Sequence, residues 1–309
     1  MAINLDTLIY PLFVKQGQWL REEISSMPGV YRFSPDMLLD EILYLQRLGL
    51  NKILLFGIPE KKDWHGKSAY KEKNIIAKSV KLIKSSFPDI TIITDICLCA
   101  YASHGHCGVI KDKKQGIDSR ATLDALSRMA LSHARAGADY VAPSAMAKDQ
   151  VKAIRAILDK NGFKKTKILG YSAKFASNLY GPFRDIADSS PRFGDRKAYQ
   201  LDYTEKHRAL EEIEDDIREG ADIVMVKPGL AYLDIVKEAK HRFKHPLAVY
   251  NVSGEYAMVK ALLEKSETRA RKSDLEKDIV FELLTNIKRA GADFIITYHA
   301  KDIARWVNN

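Results

Sequence analysis

Short apolar runs rich in β-branched residues alternate with longer amphipathic stretches along almost the whole chain. The longer stretches repeat their apolar residues at the helical period, for example over 35–48 and 121–136, and they predict helices. The short runs predict strands buried on both faces, as in a parallel sheet. Eight strands are predicted in this way, at about 7–14, 52–58, 90–97, 139–143, 167–172, 222–227, 247–252 and 293–298.

Three segments repeat one phrase where a predicted helix gives way to a predicted strand. They read RAGADYVAPS (135–144), REGADIVMVKP (218–228) and RAGADFIITY (289–298). In each, a glycine stands where a left-handed residue ends a helix, two residues form a turn, and an apolar run then begins. The repetition indicates a chain built from successive helix–strand units.

Eight alternating units predict an α/β fold, a (β/α)8 TIM barrel. A doubly wound open sheet is the alternative, but no G-x-G-x-x-G sequence follows the first predicted strand. Because no linker rich in Gly, Pro or Ser interrupts the pattern, we expect residues 1–309 to form one domain. The segments after the third and fifth strands, 97–119 and 173–203, are long, and such loops usually cover a barrel's active site.

Two lysines stand at the C-terminal ends of neighbouring predicted strands, where barrel enzymes carry their active sites. Lys174 follows the fifth strand in YSAKFAS, and Lys227 ends the sixth in VMVKPG. Desolvation and like-charge repulsion lower the proton affinity of amines that lie close together in the apolar mouth of a barrel, the opening at the C-terminal ends of its strands. A neutral amine attacks a ketone to give a Schiff base. The pair therefore predicts covalent catalysis on a carbonyl substrate, with a structural ion pair for each lysine as the alternative.

Polar side chains near the same strand ends predict sites for substrate carboxylates. The loop after the fifth strand contributes four basic side chains: Arg184, Arg192, Arg196 and Lys197. Arginine forks bind carboxylates through two parallel hydrogen bonds. Ser253 follows the seventh strand and Tyr298 ends the eighth, and both could donate to a second carboxylate. Ordinary surface charges and satisfied strand-end residues are the alternatives.

All three cysteines of the chain fall within eleven residues, in DICLCAYASHGHCGVI after the third strand. Thiolates select soft or borderline metals, of which zinc is the commonest choice. Cys97, Cys99 and Cys107 supply three ligands and leave a fourth position open, as in catalytic zinc sites. His104 or His106 could also fill that position. Buried free cysteines without a metal are the alternative.

Charge and composition limit the partners of the chain. The net charge is +9, with basic residues concentrated at 61–73, 111–114 and 160–167. No aromatic residues alternate with these charges, so we expect solvated surface or attraction of anionic small substrates, and no nucleic-acid partner. No apolar run reaches membrane-spanning length, and the N-terminus has no secretory pattern. Three thiols do not make a disulfide framework, so we expect a cytoplasmic protein without a membrane partner.

These residues together resemble the porphobilinogen synthase (5-aminolaevulinate dehydratase) family. The likeness extends over nearly the whole chain: LIYPLFV, SMPGVYR (26–32), TDICLC with SHGHCG, AKFAS followed by YGPFRD, FGDRKAYQ, MVKPG, YNVSGEYAM (250–258) and IKRAGADFIITY (287–298). The combination of AKFAS and YGPFRD with MVKPG is highly specific to this family. The resemblance implies a (β/α)8 lyase of tetrapyrrole (haem) biosynthesis that condenses two 5-aminolaevulinate molecules into porphobilinogen.

The resemblance also implies roles for single residues. Lys227 would form a Schiff base with the substrate that supplies the propionate side, and Lys174 with the second substrate. Side chains implied to hold the carboxylates are Arg184, Arg196 and Gln200 for the second substrate, and Ser253 and Tyr298 for the first. Zinc at the three cysteines would hold the second substrate's amino group, Asp95 would assist proton transfer, and residues 192–203 would form a lid.

Several positions depart from the family's usual pattern. LIYPLFV begins at residue 8, so we expect most of the family's N-terminal arm to be absent. We expect a homo-oligomer, with an assembly smaller than an octamer as an alternative to the octamer. Ala145 stands where an aspartate is common, and Lys148-Asp149-Gln150 replaces DGR. LCAYAS replaces LCPYTS. Glu212 falls where many bacterial members bind an allosteric magnesium, which makes Mg²⁺ a second candidate metal.

Two other functions remain as alternatives. A class I aldolase-like enzyme could act on another keto acid, with the cysteines structural. A degenerate homologue could bind a ligand or partner without turnover, given Ala145 and the short arm.

Overall fold

The computed structural model describes residues 3–112, 116–264 and 269–308, and it describes only the backbone of residues 269–272. Two lysines of the basic stretch 111–114, Lys113 and Lys114, lie outside the described residues. The strands are β1 (Leu8–Lys15), β2 (Arg21–Glu23), β3 (Tyr31–Phe33), β4 (Lys52–Ile58), β5 (Thr91–Ile96), β6 (Tyr140–Pro143), β7 (Lys167–Lys174), β8 (Ile223–Lys227), β9 (Leu247–Asn251) and β10 (Phe294–Thr297). The α-helices are α1 (Pro35–Arg47), α2 (Ile75–Ser86), α3 (Ser119–Ala136), α4 (Gln150–Lys160), α5 (Gly181–Ile186), α6 (Lys206–Glu219), α7 (Leu233–Phe243), α8 (Ser253–Glu264), α9 (Arg269–Ala290) and α10 (Ala300–Asn308).

Eight of these strands close into a parallel barrel. The order is β1-β4-β5-β6-β7-β8-β9-β10, and β10 pairs with β1, as in the register Leu8 with Ile295. The predicted (β/α)8 barrel is confirmed, and each predicted strand matches an observed one to within two residues. The largest difference lies at β7, which continues to Lys174 past a register shift between Gly170 and Ala173.

The sequence pattern missed three short elements. β3 pairs in parallel with β1, and β2 pairs antiparallel with β3 beside the barrel. Both are three residues long and largely exposed or half-buried, so they carry no apolar run that would predict them. The third is α5, a six-residue helix inside the segment predicted as a long loop after the fifth strand. Among the described residues no helix is both long and apolar enough to cross a bilayer.

Alternate residues of each barrel strand enter different apolar layers. In β1, Ile9 and Phe13 belong to the cluster inside the barrel, whereas Leu8, Tyr10 and Leu12 pack with the layer that includes helix residues. Because side chains on a strand alternate between its two faces, both faces must be apolar when one meets the barrel interior and the other the helices. This explains why the strands read as continuous apolar runs.

The repeated Gly-Ala-Asp phrase sets each helix–strand junction. Gly137 and Gly220 have φ values of 105° and 102° and end α3 and α6 in the left-handed region. The aspartate that follows accepts a backbone hydrogen bond from the preceding barrel strand: Ile92 donates to Asp139, Ile168 to Asp222 and Leu247 to Asp293, at 2.7–2.8 Å. Each repeat therefore ends a helix and also fixes the start of the next strand against its neighbour.

Candidate active site at the barrel mouth

Lys174 and Lys227 lie opposite each other at the C-terminal ends of adjacent strands. Their Cα atoms are register partners in the β7–β8 pairing, and each residue is only 6% exposed. Neighbouring strands are about 4.8 Å apart, so the two backbones hold the amines side by side in the mouth. The structure brings together the two lysines that the sequence singled out.

Aromatic rings surround the amine of Lys227. Its Nζ lies 4.0 Å from the ring centre of Tyr250 and 5.1–5.4 Å from those of Tyr171, Tyr180 and Phe183. Burial, followed by the nearby Lys174 ammonium, lowers the pKa of Lys227 to about 7, against an opposing effect of Asp95. The side chain therefore carries a substantial neutral fraction near pH 7 and can act as a nucleophile.

Lys174 has a different, more polar environment. Its Nζ donates to the backbone carbonyl of Ser144, 2.5 Å away, at the end of β6. Its backbone carbonyl accepts from the amide of Leu201, which ties β7 to the segment predicted as a lid. The two amines are thus close in space but oriented by different neighbours.

Asp95 stands on β5 beside the two lysines. Burial raises the pKa of its carboxyl to about 6, while Ser144, Lys174 and Lys227 oppose the shift. Its Oδ1 atom is buried and makes no hydrogen bond to the part of the chain that the structure describes. A carboxyl group with this proton affinity, next to two amines, is suited to proton transfer.

The three cysteines form one buried cluster at the end of β5. Their sulfur atoms all lie within 4.8 Å of one another. The thiols of Cys97 and Cys99 hydrogen-bond to Cys107, and with Arg196 they hold the pKa of the Cys107 thiol well below its usual range. Hydrogen bonds to Cys107, together with burial, raise the pKa of the Cys97 and Cys99 thiols, so only Cys107 favours the thiolate form without a metal. Three sulfur donors this close together are nevertheless the donor set that suits a soft or borderline metal such as zinc. The residues present therefore fit a zinc ion.

Neither histidine of this loop joins the sulfur cluster. The Nε2 of His106 donates to the Phe193 carbonyl (2.9 Å), and its Nδ1 faces the Tyr199 hydroxyl (3.2 Å). The Nδ1 of His104 accepts from the backbone amide of His106 at 3.0 Å. These contacts give the histidines a role in holding the cysteine loop against residues 192–200.

The predicted carboxylate-binding residues of the long loop lie on the same side of the mouth. Arg196 is buried and donates through Nη2 to the carbonyls of Gly105, at 2.8 Å, and Ser189. The Nη2 of Arg184 donates to Ser177 O at 3.1 Å. Gln200 is 1% exposed, and neither atom of its amide has a hydrogen-bond partner among the described residues. Among the described residues, the unpaired donors that an anionic ligand could use include Nε2 of Gln200 and the Nε–H groups of Arg184 and Arg196.

Ser253 and Tyr298 belong to the Lys227 side of the mouth. The hydroxyl of Ser253 accepts from Phe183 N at 3.1 Å, and the hydroxyl of Tyr298 lies 3.1 Å from that of Tyr250. Because Tyr250 also contacts the Lys227 amine through its ring, these residues form one connected group. The sequence analysis missed Tyr171 and Tyr250; their positions inside otherwise apolar strands gave no sign of a role in the site.

Glu212 lies apart from the lysines, on α6. It is paired with Arg208 (3.9 Å), and burial raises the pKa of its carboxyl. It lines a cavity of about 860 Å³ together with Ala145, Lys148 and Asp216. The sequence departures at Ala145 and Lys148 therefore face this cavity. Among the described residues, Glu212 belongs to no group of three acidic, histidine or cysteine side chains close enough to share a metal.

A closed (β/α)8 barrel with two adjacent buried lysines and a thiol cluster at the C-terminal end of its strands is typical of a (β/α)8-barrel enzyme. A sequence model of the family described as Delta-aminolevulinic acid dehydratase matches residues 1–306. The chain belongs to this family. It is a lyase with the porphobilinogen synthase activity that the sequence predicts, and the aldolase-like and non-catalytic alternatives are not favoured.

Similar proteins support the assignment over the full length. A Delta-aminolevulinic acid dehydratase of Methanothermus sociabilis is 53% identical over 98% of this chain and 91% of the relative. One of Bacillus subtilis (strain 168) is 48% identical over 97% of this chain and 90% of the relative. A crystal structure of the Toxoplasma gondii ME49 enzyme, in complex with the reaction product porphobilinogen, is 41% identical, with a TM-score of 0.94 over 99% of this chain and 86% of that chain.

Proposed function

We propose that this chain joins two molecules of 5-aminolaevulinate into porphobilinogen, with loss of two waters, through Schiff bases at Lys227 and Lys174. The observation that carries the proposal is the pairing of two buried lysines across one strand register. A condensation in which both keto acids are held as imines needs two amine nucleophiles within reach of each other. A single-lysine aldolase needs one.

Lys227 takes the first substrate, which supplies the propionate side. Its neutral amine attacks the ketone carbon, a C–N bond forms, and the carbonyl oxygen leaves as water after protonation. Asp95, with a pKa of about 6, is placed to supply that proton. Ser253 and Tyr298 bind the first substrate's carboxylate, and the rings around Lys227 exclude water from the imine.

Lys174 takes the second substrate in the same way. Arg184, Arg196 and Gln200 hold its carboxylate. An imine at Lys174 acidifies the neighbouring C–H group, and loss of that proton gives an enamine. The enamine carbon can attack the imine carbon at Lys227, because the two strands hold the two lysines side by side. Attack of the first substrate's amino group on the imine carbon at Lys174 then closes the ring and displaces the Lys174 amine. Elimination of the Lys227 amine, with loss of ring protons, gives the pyrrole.

We infer that the metal is zinc and that Cys97, Cys99 and Cys107 hold it. When bound, zinc supplies a Lewis acid that holds the second substrate's amino group and lowers its proton affinity. Arg196 lies against the same cluster and favours the thiolate form of Cys107. Magnesium at Glu212 stays a prediction, and the pairing of Glu212 with Arg208 speaks against it.

We further infer one catalytic unit over residues 1–309, with residues 192–203 as a lid, acting as a homo-oligomer in the cytoplasm. The contacts of His106 with Phe193 and Tyr199 support the lid, because they join it to the cysteine loop. Closure over the mouth would keep water from both imines.

The proposal is tested by incubating the purified protein with 5-aminolaevulinate and zinc, followed by a pyrrole colour reaction. We expect pyrrole from the wild type and none from Lys227→Met. Reduction with borohydride during turnover should add the mass of substrate to the peptide that contains Lys227. Absence of pyrrole after zinc loading would contradict the proposal and would favour the aldolase-like or the non-catalytic alternative.

A further inference from the structure

A buried glutamate that takes no part in the proposed chemistry lies behind the Lys227 side of the mouth. Glu255, in the first turn of α8, is only 2% exposed. One of its oxygens, Oε1, accepts from the backbone amide of Leu230 at 2.7 Å. The other, Oε2, accepts from the backbone amide of Val252 at 2.8 Å and from Nδ2 of Asn251 at 3.0 Å. One carboxylate thus receives three hydrogen bonds from two separate segments.

These segments are the exits of adjacent barrel strands. Leu230 lies three residues after Lys227 at the end of β8, and Asn251 is the last residue of β9. Asn251 in turn accepts, through Oδ1, from the hydroxyl of Thr297 at the end of β10 (2.9 Å). A chain of hydrogen bonds therefore joins the ends of β8, β9 and β10 through Glu255. The residues that follow or end these strands include Lys227, Ser253 and Tyr298.

Lys174 is held by other contacts. Its amine donates to Ser144 on the β6 side, and its backbone accepts from Leu201. Neither contact involves Glu255. Glu255 therefore bonds directly to the segments that follow β8 and end β9, on the Lys227 side of the mouth, and reaches Lys174 only indirectly through the pairing of β7 with β8.

We propose that Glu255 is a positioning residue for Lys227, and that its carboxylate fixes the placement of Lys227 relative to Ser253 and Tyr298 by joining the ends of β8, β9 and β10. The inference rests on the proposed role of Lys227 as a Schiff-base lysine. All three partners of Glu255 are donors, so the site requires a group that only accepts. An amide at this position would turn an N–H group towards one of the donors and leave a buried donor unpaired.

The test is reductive trapping with 4-oxopentanoate, the substrate skeleton without its amino group, in wild type and Glu255→Gln. Borohydride fixes the imines, and mass spectrometry measures the adduct on the Lys174 and Lys227 peptides separately. We expect the initial rate of adduct formation at Lys227 to fall about tenfold or more in Glu255→Gln, because a buried donor loses its acceptor. The rate at Lys174 should stay within about twofold of the wild type. In turnover, kcat should fall by a similar factor, with KM changed less.

A matched control is Glu41→Gln. Glu41 is also a buried glutamate, but it pairs with Lys301 between α1 and α10 at 2.7 Å. Its substitution should lower the melting temperature without changing the ratio of the two adducts. An equal loss at both lysines in Glu255→Gln, or no loss at Lys227, would overturn the inference. If the wild type itself forms no adduct at Lys227, the proposed function fails first, and the positioning role fails with it.

A second pair of variants serves if Glu255→Gln does not fold. Thr297→Val removes the donor to Asn251 and keeps the side-chain shape, whereas Thr297→Ser keeps the hydroxyl. We expect slower trapping at Lys227 in Thr297→Val and near-normal trapping in Thr297→Ser. Equal trapping rates at Lys227 in the two variants would overturn the proposed network.

Discussion

Lys174 and Lys227 face each other as register partners on adjacent parallel strands, both buried at the barrel mouth. Burial and the neighbouring Lys174 ammonium lower the pKa of Lys227 to about 7. The positive charge of one lysine thus helps to make the other a nucleophile. This relationship explains why two lysines separated by more than fifty residues in sequence can act in one reaction.

Removal of either amine should abolish the condensation. Lys227→Met and Lys174→Met should each lower kcat by at least roughly a thousandfold, since each removes a covalent nucleophile. Trapping with 4-oxopentanoate should persist at the remaining lysine in each variant. A steady-state pyrrole assay and peptide mass spectrometry measure the two effects. Retained turnover in Lys227→Met would contradict the assigned role.

The pH dependence of trapping at Lys227 should follow its amine. Below its pKa of about 7 the amine is protonated and cannot attack, so the adduct rate should rise with pH to a plateau, with a midpoint near pH 7. Lys174→Met removes one cause of the lowered pKa and should move the midpoint upwards; Asp95 acts in the opposite direction. Rates measured between pH 5 and 10 test this, and a midpoint near the ordinary lysine value of about 10.4 would contradict it.

Chelation of the metal should stop turnover and preserve the fold. The three cysteines lie on the loop after β5, outside the strands that close the barrel, although they pack against the apolar layer around it. Elemental analysis should find zinc in the wild type and little in Cys99→Ser or Cys107→Ser. His104→Asn is the control and should keep its zinc, because His104 contacts the backbone of His106 and not the cluster. Circular dichroism monitors the fold during chelation. Global unfolding on chelation would favour a structural metal.

Loss of a buried guanidinium should weaken binding of the second substrate. Arg196→Met should raise KM for 5-aminolaevulinate by about tenfold or more, because charge-assisted hydrogen bonds to a carboxylate are lost. Arg192→Met is the comparison: Arg192 is exposed and sits 3.5 Å from Asp188, so its KM should change by less than about threefold. Steady-state kinetics at saturating zinc measure both. Similar KM values for the two variants would argue against the role of Arg196.

The buried ion pair of Lys301 and Glu41 should contribute to stability rather than activity. Both side chains are 8% exposed, and their Nζ–Oε1 distance is 2.7 Å. Lys301→Met leaves a buried carboxylate unpaired and should lower the free energy of unfolding by about 3–5 kcal/mol. The double variant Glu41→Leu/Lys301→Met should recover much of that loss. Urea titration measures both, and a single variant as stable as the wild type would contradict the expectation.

The amino-acid sequence alone predicts the number and order of the strand–helix units of the barrel. The apolar runs and the repeated Gly-Ala-Asp phrase predict all eight barrel strands, because helix endings and strand burial depend on residues close together in sequence. The same local information identified Lys174, Lys227 and the three cysteines, since each stands at the end of an apolar run or within one loop.

Only the tertiary structure decided how those residues meet. The register that opposes Lys174 to Lys227 and the carboxylate of Glu255 that joins three strand ends depend on pairings between distant segments. The rings of Tyr171 and Tyr250 read in sequence as ordinary core residues, yet closure of the barrel places them against the amine of Lys227. Proton affinity depends on burial and on neighbouring charges, and both arise only when the barrel closes.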